Sequence, residues 1–208
     1  MNTRKVVERA AADVTAWNQL GCLSPHVIYV ETGGKTSPEQ FAEMLSKELA
    51  RREEVEPRGD LSIEEAAVIS SRRSFYEVRA ANSEEGNFAP NAEAIVTRLW
   101  RSEDSTAWTV VYESDARFQM SCLNRFIYVK SVENLAKALA GADAVRDQVS
   151  TVGVAAPEDR AQALATQLAR WGATRVCPLG RMQEPPLMWR HDGRLALGEL
   201  VRWTDWER

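Results

Sequence analysis

The stretch that decides the fold is FIYVKSVENLAKALAGADAVRDQVSTVGVAAPEDRAQALATQLARWGATRVCP, residues 126–178. Short runs of β-branched and aromatic residues, typical of buried strands, alternate there with segments whose apolar residues recur at helical spacing. The predicted strands are 126–130, 149–154 and 175–178, and the predicted helices between them are 132–144 and 158–171. Strands that alternate with helices form βαβ units, so this stretch predicts an α/β fold.

The residues before this stretch predict further elements of the same class. A helix at 4–18 leads through the turn 21–25 into an apolar strand at 27–30. Ser37 and Ser62 each begin a capping box, with Gln40 and Glu65 three residues later, and Pro38 suits a first helical position. The predicted helices that follow these caps end before the polar run 51–60, interpreted as a surface loop, and at about 78. A long loop is expected at 81–91, and strands at 97–101 and 108–113 flank a polar turn, which is typical of a hairpin.

Composition and charge exclude several classes of protein. The chain has 208 residues, of which 44% are hydrophobic and 27% charged, so it can form one large domain with a core of its own. Lys and Arg number 26 against 30 Asp and Glu, a balance that argues against a nucleic-acid-binding protein. No apolar stretch approaches the roughly 18 residues that cross a bilayer. The N-terminus lacks the apolar run of a secretory signal, so we expect a cytoplasmic protein without a membrane span.

Nucleotide and metal motifs are missing from the sequence. Gly33, Gly34, Lys35 and Thr36 look like the end of a phosphate loop, but the glycine required five residues before Gly34 is replaced by Tyr29. No G-x-G-x-x-G fingerprint occurs, so any nicotinamide cofactor must be held mainly by something else. With only two histidines and no metal-ligand spacing of the cysteines, no metal is predicted.

Cys22 is the leading candidate for a catalytic residue. It lies on the turn between helix and strand, where Gly21 permits close approach by a ligand, and a thiol becomes a nucleophile when its pKa is lowered. A buried structural cysteine is the alternative, and the spacing alone leaves it open. His26 is close in sequence, although Pro25 makes a helical contact with Cys22 unfavourable. Cys122 and Cys177 are interpreted as packing residues, and all three thiols are expected to be free.

His191, Asp192 and Gly193 form a second candidate group. An imidazole beside a carboxylate suits acid–base chemistry, and equally suits a loop held by a local hydrogen bond. The sequence favours the structural role.

The segment ADVTAWNQLGCLSPHVIYVE, residues 12–31, resembles the nucleophile segment of the long-chain acyl-CoA reductases. These belong to the aldehyde dehydrogenase superfamily and include the fatty-acid reductase of bacterial luminescence. The similarity continues in order through NRFIYV (124–129), TVGV (151–154), GRMQ (180–183), HDG (191–193) and LVRW (200–203).

This resemblance implies an aldehyde-dehydrogenase-like catalytic domain, with three layers around a central, mostly parallel sheet. Residues 1–208 then form a single catalytic domain, with a lead-in helix at 1–18 and a C-terminal segment at 180–208 packed on the domain or on a partner subunit. The nucleotide-binding domain of the same enzyme is absent from this chain. A homo-oligomer is expected by analogy with the superfamily.

The implied reaction takes a long-chain acyl group from acyl-CoA or an acyl-protein and reduces it to a fatty aldehyde with NADPH. Cys22 then looks like the nucleophile that forms an acyl-enzyme. Asn18 or Gln19 is a candidate for the side-chain amide that supports the oxyanion, and His26 and His191 are candidate supporting residues. We expect that the isolated chain does not complete the hydride transfer. Two other functions stay open: a cysteine acyltransferase or thioesterase, and a non-catalytic oligomerisation module.

Overall fold

The structure is a computed structural model that describes residues 2–84, 94–194, 198, 200, 202 and 204–207. Its elements are α1 (Thr3–Thr15), β1 (Val27–Glu31), α2 (Pro38–Val55), α3 (Ile63–Glu84), β2 (Thr97–Arg101), β3 (Thr109–Glu113), β4 (Phe126–Val132), α4 (Leu135–Gly141), β5 (Thr151–Val154), α5 (Glu158–Trp171) and β6 (Arg175–Pro178). Each predicted strand and helix is present, and the predicted α/β class is confirmed.

A four-stranded sheet in the order β1-β4-β3-β2 forms the centre of the fold. β4 pairs in parallel with β1 on one side and with β3 on the other, and β2 adds an antiparallel edge through the predicted hairpin. The sheet is therefore mostly parallel, as expected. β5 and β6 do not join it but pair in parallel with each other as a separate two-stranded sheet.

Alternation along β3 and β4 places apolar side chains on both faces of the sheet, as a doubly covered sheet requires. Val110 and Ile127 belong to the core cluster that includes α1 and α2, whereas Val111 and Tyr128 belong to the cluster beneath α3. α1 and α2 thus cover one face of the sheet, and α3 covers the other. This matches the three layers that the resemblance implies.

Three predicted helix boundaries are wrong. The first helix ends at Thr15 instead of residue 18, because Trp17 and Asn18 have positive φ angles. The second continues to Val55, since Arg51 and Arg52 form ion pairs with Glu48 one turn earlier and so extend the helix into the predicted loop. The third runs to Glu84. Residues 85–91 of the predicted loop 81–91 lie outside the described residues.

The predicted helix 132–144 also begins too early. Val132 is the last residue of β4, and the side chain of Asn134 caps α4 by accepting the backbone N–H of Lys137. α4 then ends at Gly141, and a 3-10 turn covers Asp143–Val145. β5 begins at Thr151, two residues later than expected.

The C-terminal segment at 180–208 starts in contact with the rest of the fold. A side chain at Gly180 would collide with Arg9 of α1, and the ring of Trp189 lies 5.8 Å from the guanidinium of Arg175. Trp203 lies outside the described residues. Packing of this segment against a partner subunit stays a prediction. None of the described helices is long and apolar enough to cross a membrane.

A buried ion cluster joins β3 and β4. Lys130 and Glu113 stand opposite each other in the parallel register, and their Nζ and Oε2 atoms are 2.5 Å apart. Asp115 accepts a second hydrogen bond from Lys130 at 2.6 Å, and Arg79 of α3 lies 2.9 Å from the other oxygen of Glu113. Both Lys130 and Glu113 are fully buried, so each charge depends on its partners for solvation.

We expect Lys130→Met to lower the free energy of unfolding by about 3–5 kcal/mol, because it leaves Glu113 as a buried charge without its main partner. The double variant Lys130→Met/Glu113→Leu should recover most of that loss, since both buried charges are gone and the volume is kept. Urea unfolding measures the free energy of unfolding of the single and the double variant. A double variant as unstable as Lys130→Met alone would contradict this prediction.

Candidate functional site

Cys22 lies at the exposed tip of a tight turn formed by residues 21–24, hereafter the Cys22 turn. The backbone N–H of Ser24 donates to the carbonyl of Gly21 at 2.9 Å, which closes the turn. Cys22 is exposed, whereas its neighbours Leu23 and Ser24 are buried. The turn therefore holds its base in the protein and presents the thiol to solvent.

The other two thiols are less accessible. Cys122 is half-buried and Cys177 is buried, and burial raises the pKa of both thiols above the ordinary value. A raised pKa disfavours the reactive thiolate. Of the three cysteines, Cys22 is the one whose surroundings leave it open to a large substrate.

Two left-handed segments meet beside the Cys22 turn. Trp17, Asn18 and Gln19 have φ angles of 53°, 52° and 66°, and residues 123–125 have φ angles of 63°, 54° and 63°. Non-glycine residues adopt this region rarely, and it costs each roughly 1–2 kcal/mol. Six such residues in two adjacent segments persist only where surrounding contacts hold them, and strain of this kind is concentrated at functional sites.

The side-chain amide of Gln19 ties these segments to the Cys22 turn. Its Nε2 atom lies 2.6 Å from the carbonyl oxygen of Pro25, 2.9 Å from that of Phe126 and 3.2 Å from Oγ of Ser121. Gln19 is completely buried. Gln19, two residues before the turn, is thus bonded to Pro25 directly after it and to Phe126, the first residue of β4.

Asn18 and Arg125 form the second link between the two segments. The guanidinium of Arg125 donates to Oδ1 of Asn18 at 3.0 Å, and the amide of Asn18 donates to the carbonyl of Arg58 at 2.9 Å. Arg125 also pairs with Glu53 of α2 at 2.7 Å. Burial lowers the pKa of Arg125, while the charge of Glu53 favours its protonated form. Both candidate oxyanion amides, Asn18 and Gln19, therefore already donate to protein acceptors.

His26 contacts Ser121. Its Nδ1 atom accepts the backbone N–H of Ser121 at 3.3 Å and lies 3.0 Å from the hydroxyl, and Phe118 packs edge-on against the ring. Burial lowers the pKa of His26 from its ordinary value of 6.5, so the ring is neutral at pH 7. With Nδ1 as acceptor, the proton of neutral His26 lies on Nε2. This arrangement favours a hydrogen-bond donor over a general base, and a supporting role for His26 stays a prediction.

His191 lies in an exposed 3-10 turn, His191–Gly193. Its Nδ1 atom is 3.1 Å from a carboxylate oxygen of Asp192, and its ring packs against Trp189 with centroids 4.7 Å apart. The other oxygen of Asp192 accepts from the hydroxyl of Ser150 at 2.5 Å. These contacts hold the loop. A catalytic part for His191 stays a prediction.

The start of α2, which follows the loop that contains Gly33 and Gly34, does not fit a dinucleotide. Anions bind at such a helix start through free backbone N–H groups. Here Ser37 accepts the N–H of Gln40 in a complete capping box, and Pro38 has no N–H to offer. Across the described residues, no three His, Cys, Asp or Glu side chains converge in a way that could hold a metal ion.

Sequence reasoning missed several residues that build this site. Ser121, Arg125 and Gln183 contact Gln19, Asn18 and the Cys22 turn respectively, from positions more than 100 residues away. In the sequence, Arg125 and Gln183 stand only as members of the segments NRFIYV and GRMQ that carry the resemblance. No local pattern connects such residues, because their contacts arise when β4 and the segment after β6 fold against α1.

Comparison with known proteins supports the sequence resemblance. The family model described as Acyl-CoA reductase (LuxC) matches residues 1–203, which is nearly the whole chain. No curated protein matches the chain with significant similarity.

The lowered pKa of His26 gives a pH-dependent stability. The unfolded state takes up a proton as the pH falls below 6.5, whereas native His26 resists it, so neutral His26 stabilises the fold above 6.5 and this contribution is lost at lower pH. We expect wild type to lose stability relative to His26→Gln between pH 7.5 and 5, with a slope of at most about 1.4 kcal/mol per pH unit. Urea unfolding of wild type and His26→Gln across this pH range tests the prediction. If the free energies of unfolding of the two proteins change with pH in parallel, the prediction is wrong.

Gln19→Glu tests the link across the Cys22 turn. The substitution replaces the donor with a carboxylate that faces three oxygen atoms, so we expect a loss of about 1–3 kcal/mol in the free energy of unfolding at pH 7. Gln167→Glu, on the exposed face of α5, is the matched control and should stay within about 0.5 kcal/mol of wild type. Equal stabilities for the two variants in urea unfolding would refute the assigned role of Gln19.

Proposed function

The chain belongs to the acyl-CoA reductase (LuxC) family, and from this premise we propose that Cys22 is the nucleophile that takes the acyl group from a long-chain acyl-CoA. Reduction of fatty acyl groups is the activity that the family implies. The observation that carries the proposal for Cys22 is its position: an exposed thiol at the tip of a turn that the side chains of Gln19 and Gln183 hold by hydrogen bonds to Pro25 and Ser24.

The chemistry of the first step follows from this placement. The Cys22 thiolate attacks the thioester carbonyl carbon, and a new C–S bond forms while the carbonyl electrons move to oxygen. Collapse of this tetrahedral intermediate breaks the bond to the sulfur of CoA, which leaves as a thiolate and takes up a proton from water. The product is an acyl thioester on Cys22. Because one thioester replaces another, the step is close to balanced in energy and needs mainly correct orientation.

The surroundings of the Cys22 turn suit a hydrophobic substrate. Trp17 is 73% exposed and Leu20 is 55% exposed, both within five residues of the thiol. Large apolar side chains left open beside a reactive group favour an apolar ligand at that surface. We take Trp17 and Leu20 as residues against which part of the acyl-CoA packs.

Reduction of the acyl-enzyme needs a second component. NADPH is the proposed reductant, and when bound it would supply the hydride that converts the acyl group on Cys22 to an aldehyde. The helix start beside Gly33 and Gly34 does not fit this cofactor, and the sequence has no dinucleotide fingerprint. We therefore propose that NADPH is held mainly by a nucleotide-binding domain outside this chain, and that the chain is the aldehyde-dehydrogenase-like catalytic part.

Release of free CoA distinguishes this function from its rivals. We expect wild type mixed with a long-chain acyl-CoA, without NADPH, to release about one equivalent of CoA thiol per chain in a burst and then to stop, because the acyl-enzyme is stable until it is reduced. Cys22→Ser should abolish the burst, and Cys177→Ser should keep it. Continuous CoA release without NADPH would identify a thioesterase or acyltransferase, and no release from folded wild type would favour the non-catalytic module.

The same reaction with NADPH tests the location of the cofactor site. We expect the 208-residue chain alone to give no oxidation of NADPH that depends on acyl-CoA, while the burst of CoA is unaffected. Absorbance of NADPH at its nicotinamide band measures this directly. Steady oxidation by wild type but not by Cys22→Ser would show that the chain holds its own nucleotide site and would overturn this part of the proposal.

A further inference from the structure

The segment 180–184, which follows β6, lies against the base of the Cys22 turn through one side chain, that of Gln183. The amide of Gln183 donates to Oγ of Ser24 at 2.7 Å. At the other end of the turn, a Cβ placed on Gly21 would lie 2.9 Å from both polar atoms of the same amide. Gln183 therefore contacts the first and last residues of the turn at once, and Gly21 is the residue that leaves room for it.

Two buried charges fix the backbone that carries Gln183. Asp13 of α1 accepts the N–H groups of Gly180 at 2.6 Å and Met182 at 3.0 Å. Arg175 of β6 donates to the carbonyls of Arg181 at 2.8 Å and Met182 at 2.7 Å. Asp13 is 3% exposed and Arg175 is 9% exposed. Hydrogen bonds to charged groups away from water are strong, so the segment is held on both sides.

The packing of Met182 adds a third constraint on this segment. A Cβ on Gly153 of β5 would come within 3.0 Å of the side chain of Met182, so β5 and the segment are in close contact. Met182 is buried, whereas its neighbour Gln183 is half-buried and directed to the Cys22 turn. The segment after β6 thus reaches the Cys22 turn through Gln183, whose backbone is held by buried contacts on both sides.

We propose that Gln183 is a positioning residue for Cys22. It fixes the turn at Gly21 and Ser24, whereas Gln19 bonds to Pro25 after the turn, so that the thiol is presented in one orientation when an acyl group is transferred. The inference rests on the proposed function, because it concerns the acylation of Cys22. A turn fixed in advance lowers the entropy lost in reaching the transition state, so the effect falls on the rate of acylation and not on the binding of acyl-CoA.

The first test does not use an acyl donor. Gln183→Glu keeps the shape of the side chain and can accept from the hydroxyl of Ser24, but it brings a negative charge to the turn. At low ionic strength we expect the midpoint of the pH profile for alkylation of Cys22 by iodoacetamide to rise by roughly half a pH unit, since a nearby carboxylate disfavours the thiolate. Gln167→Glu on the exposed face of α5 is the control, with the same charge change and no expected shift. Equal midpoints in the two variants would place Gln183 too far from Cys22 and overturn the proposal.

The second test uses the close approach at Gly21. Gln183→Ala removes the contact, and Gly21→Ala displaces the amide by a collision, so each should slow the burst of CoA release by roughly 10- to 100-fold without changing the acyl-CoA concentration that gives half the maximal rate. The double variant should be no slower than either single one, because the shortened side chain leaves room for the new methyl group. Gln183→Met, which keeps the packing without the amide, should be impaired like Gln183→Ala.

Additive effects of the two alanine substitutions, or wild-type rates in Gln183→Ala, would overturn the proposal. A rise in the half-maximal acyl-CoA concentration at an unchanged maximal rate would also overturn it, because that result assigns Gln183 to substrate binding. Thermal unfolding of each variant identifies any that are not folded. If an alanine variant is not folded, the pH profile for alkylation of Cys22 in Gln183→Glu decides whether the proposal stands. Absence of any burst in wild type would refute the proposed function, while the alkylation profile would still test the position of Gln183.

Discussion

The buried carboxamide of Gln19 is the interaction on which the candidate site depends. It joins the end of α1, the carbonyl of Pro25 beyond the Cys22 turn and the first residue of β4 through one nitrogen atom. The left-handed backbone at Trp17–Gln19 turns this side chain inward, and the matching left-handed segment at 123–125 delivers Arg125 to Asn18. The conformational energy of these residues is offset by hydrogen bonds that are sheltered from water. Without them α1 would continue straight and the thiol would have no fixed place.

The geometry favours Cys22 as the acyl acceptor that we propose for this member of the acyl-CoA reductase family. The structure leaves Cys22 exposed, whereas Leu23 and Ser24 of the same turn are buried. The central sheet supports the Cys22 turn through the bond from Gln19 to the first residue of β4, and the segment after β6 supports it through Gln183. The ion cluster of Lys130 and Glu113 is buried within the sheet, where it joins β3 to β4.

Much of the fold could be predicted from the sequence because its signals are local. Apolar runs identified the strands, and the capping boxes at Ser37 and Ser62 located the starts of α2 and α3. The ends of helices were predicted less well, since charged residues such as Arg51 extend a helix when they pair with Glu48 and resemble a loop when composition alone is considered. The separation of β5 and β6 from the central sheet could not be predicted, because strand pairing depends on tertiary packing that no single segment encodes.

In the candidate site, too, some residues can be predicted from local sequence and others are recognised only from tertiary contacts. Cys22 is predicted from its place on a turn and from the resemblance, whereas Arg125 and Gln183 act through contacts made only in the folded chain. A role for Asn18 or Gln19 in supporting the oxyanion stays a prediction, and the structure gives both amides protein partners. Positive φ angles at six non-glycine residues have no clear signal in sequence, so the strain that shapes the site becomes visible only in the structure.

The most direct measurement of the central claim is the location of the acyl group. After wild type is incubated with a long-chain acyl-CoA and digested under conditions that preserve thioesters, tandem mass spectrometry of the peptides identifies the modified residue. We expect one acyl group, on the peptide that contains Cys22, with Cys122 and Cys177 unmodified. An acyl group on either of those cysteines, or none on Cys22 of a folded protein, would contradict it.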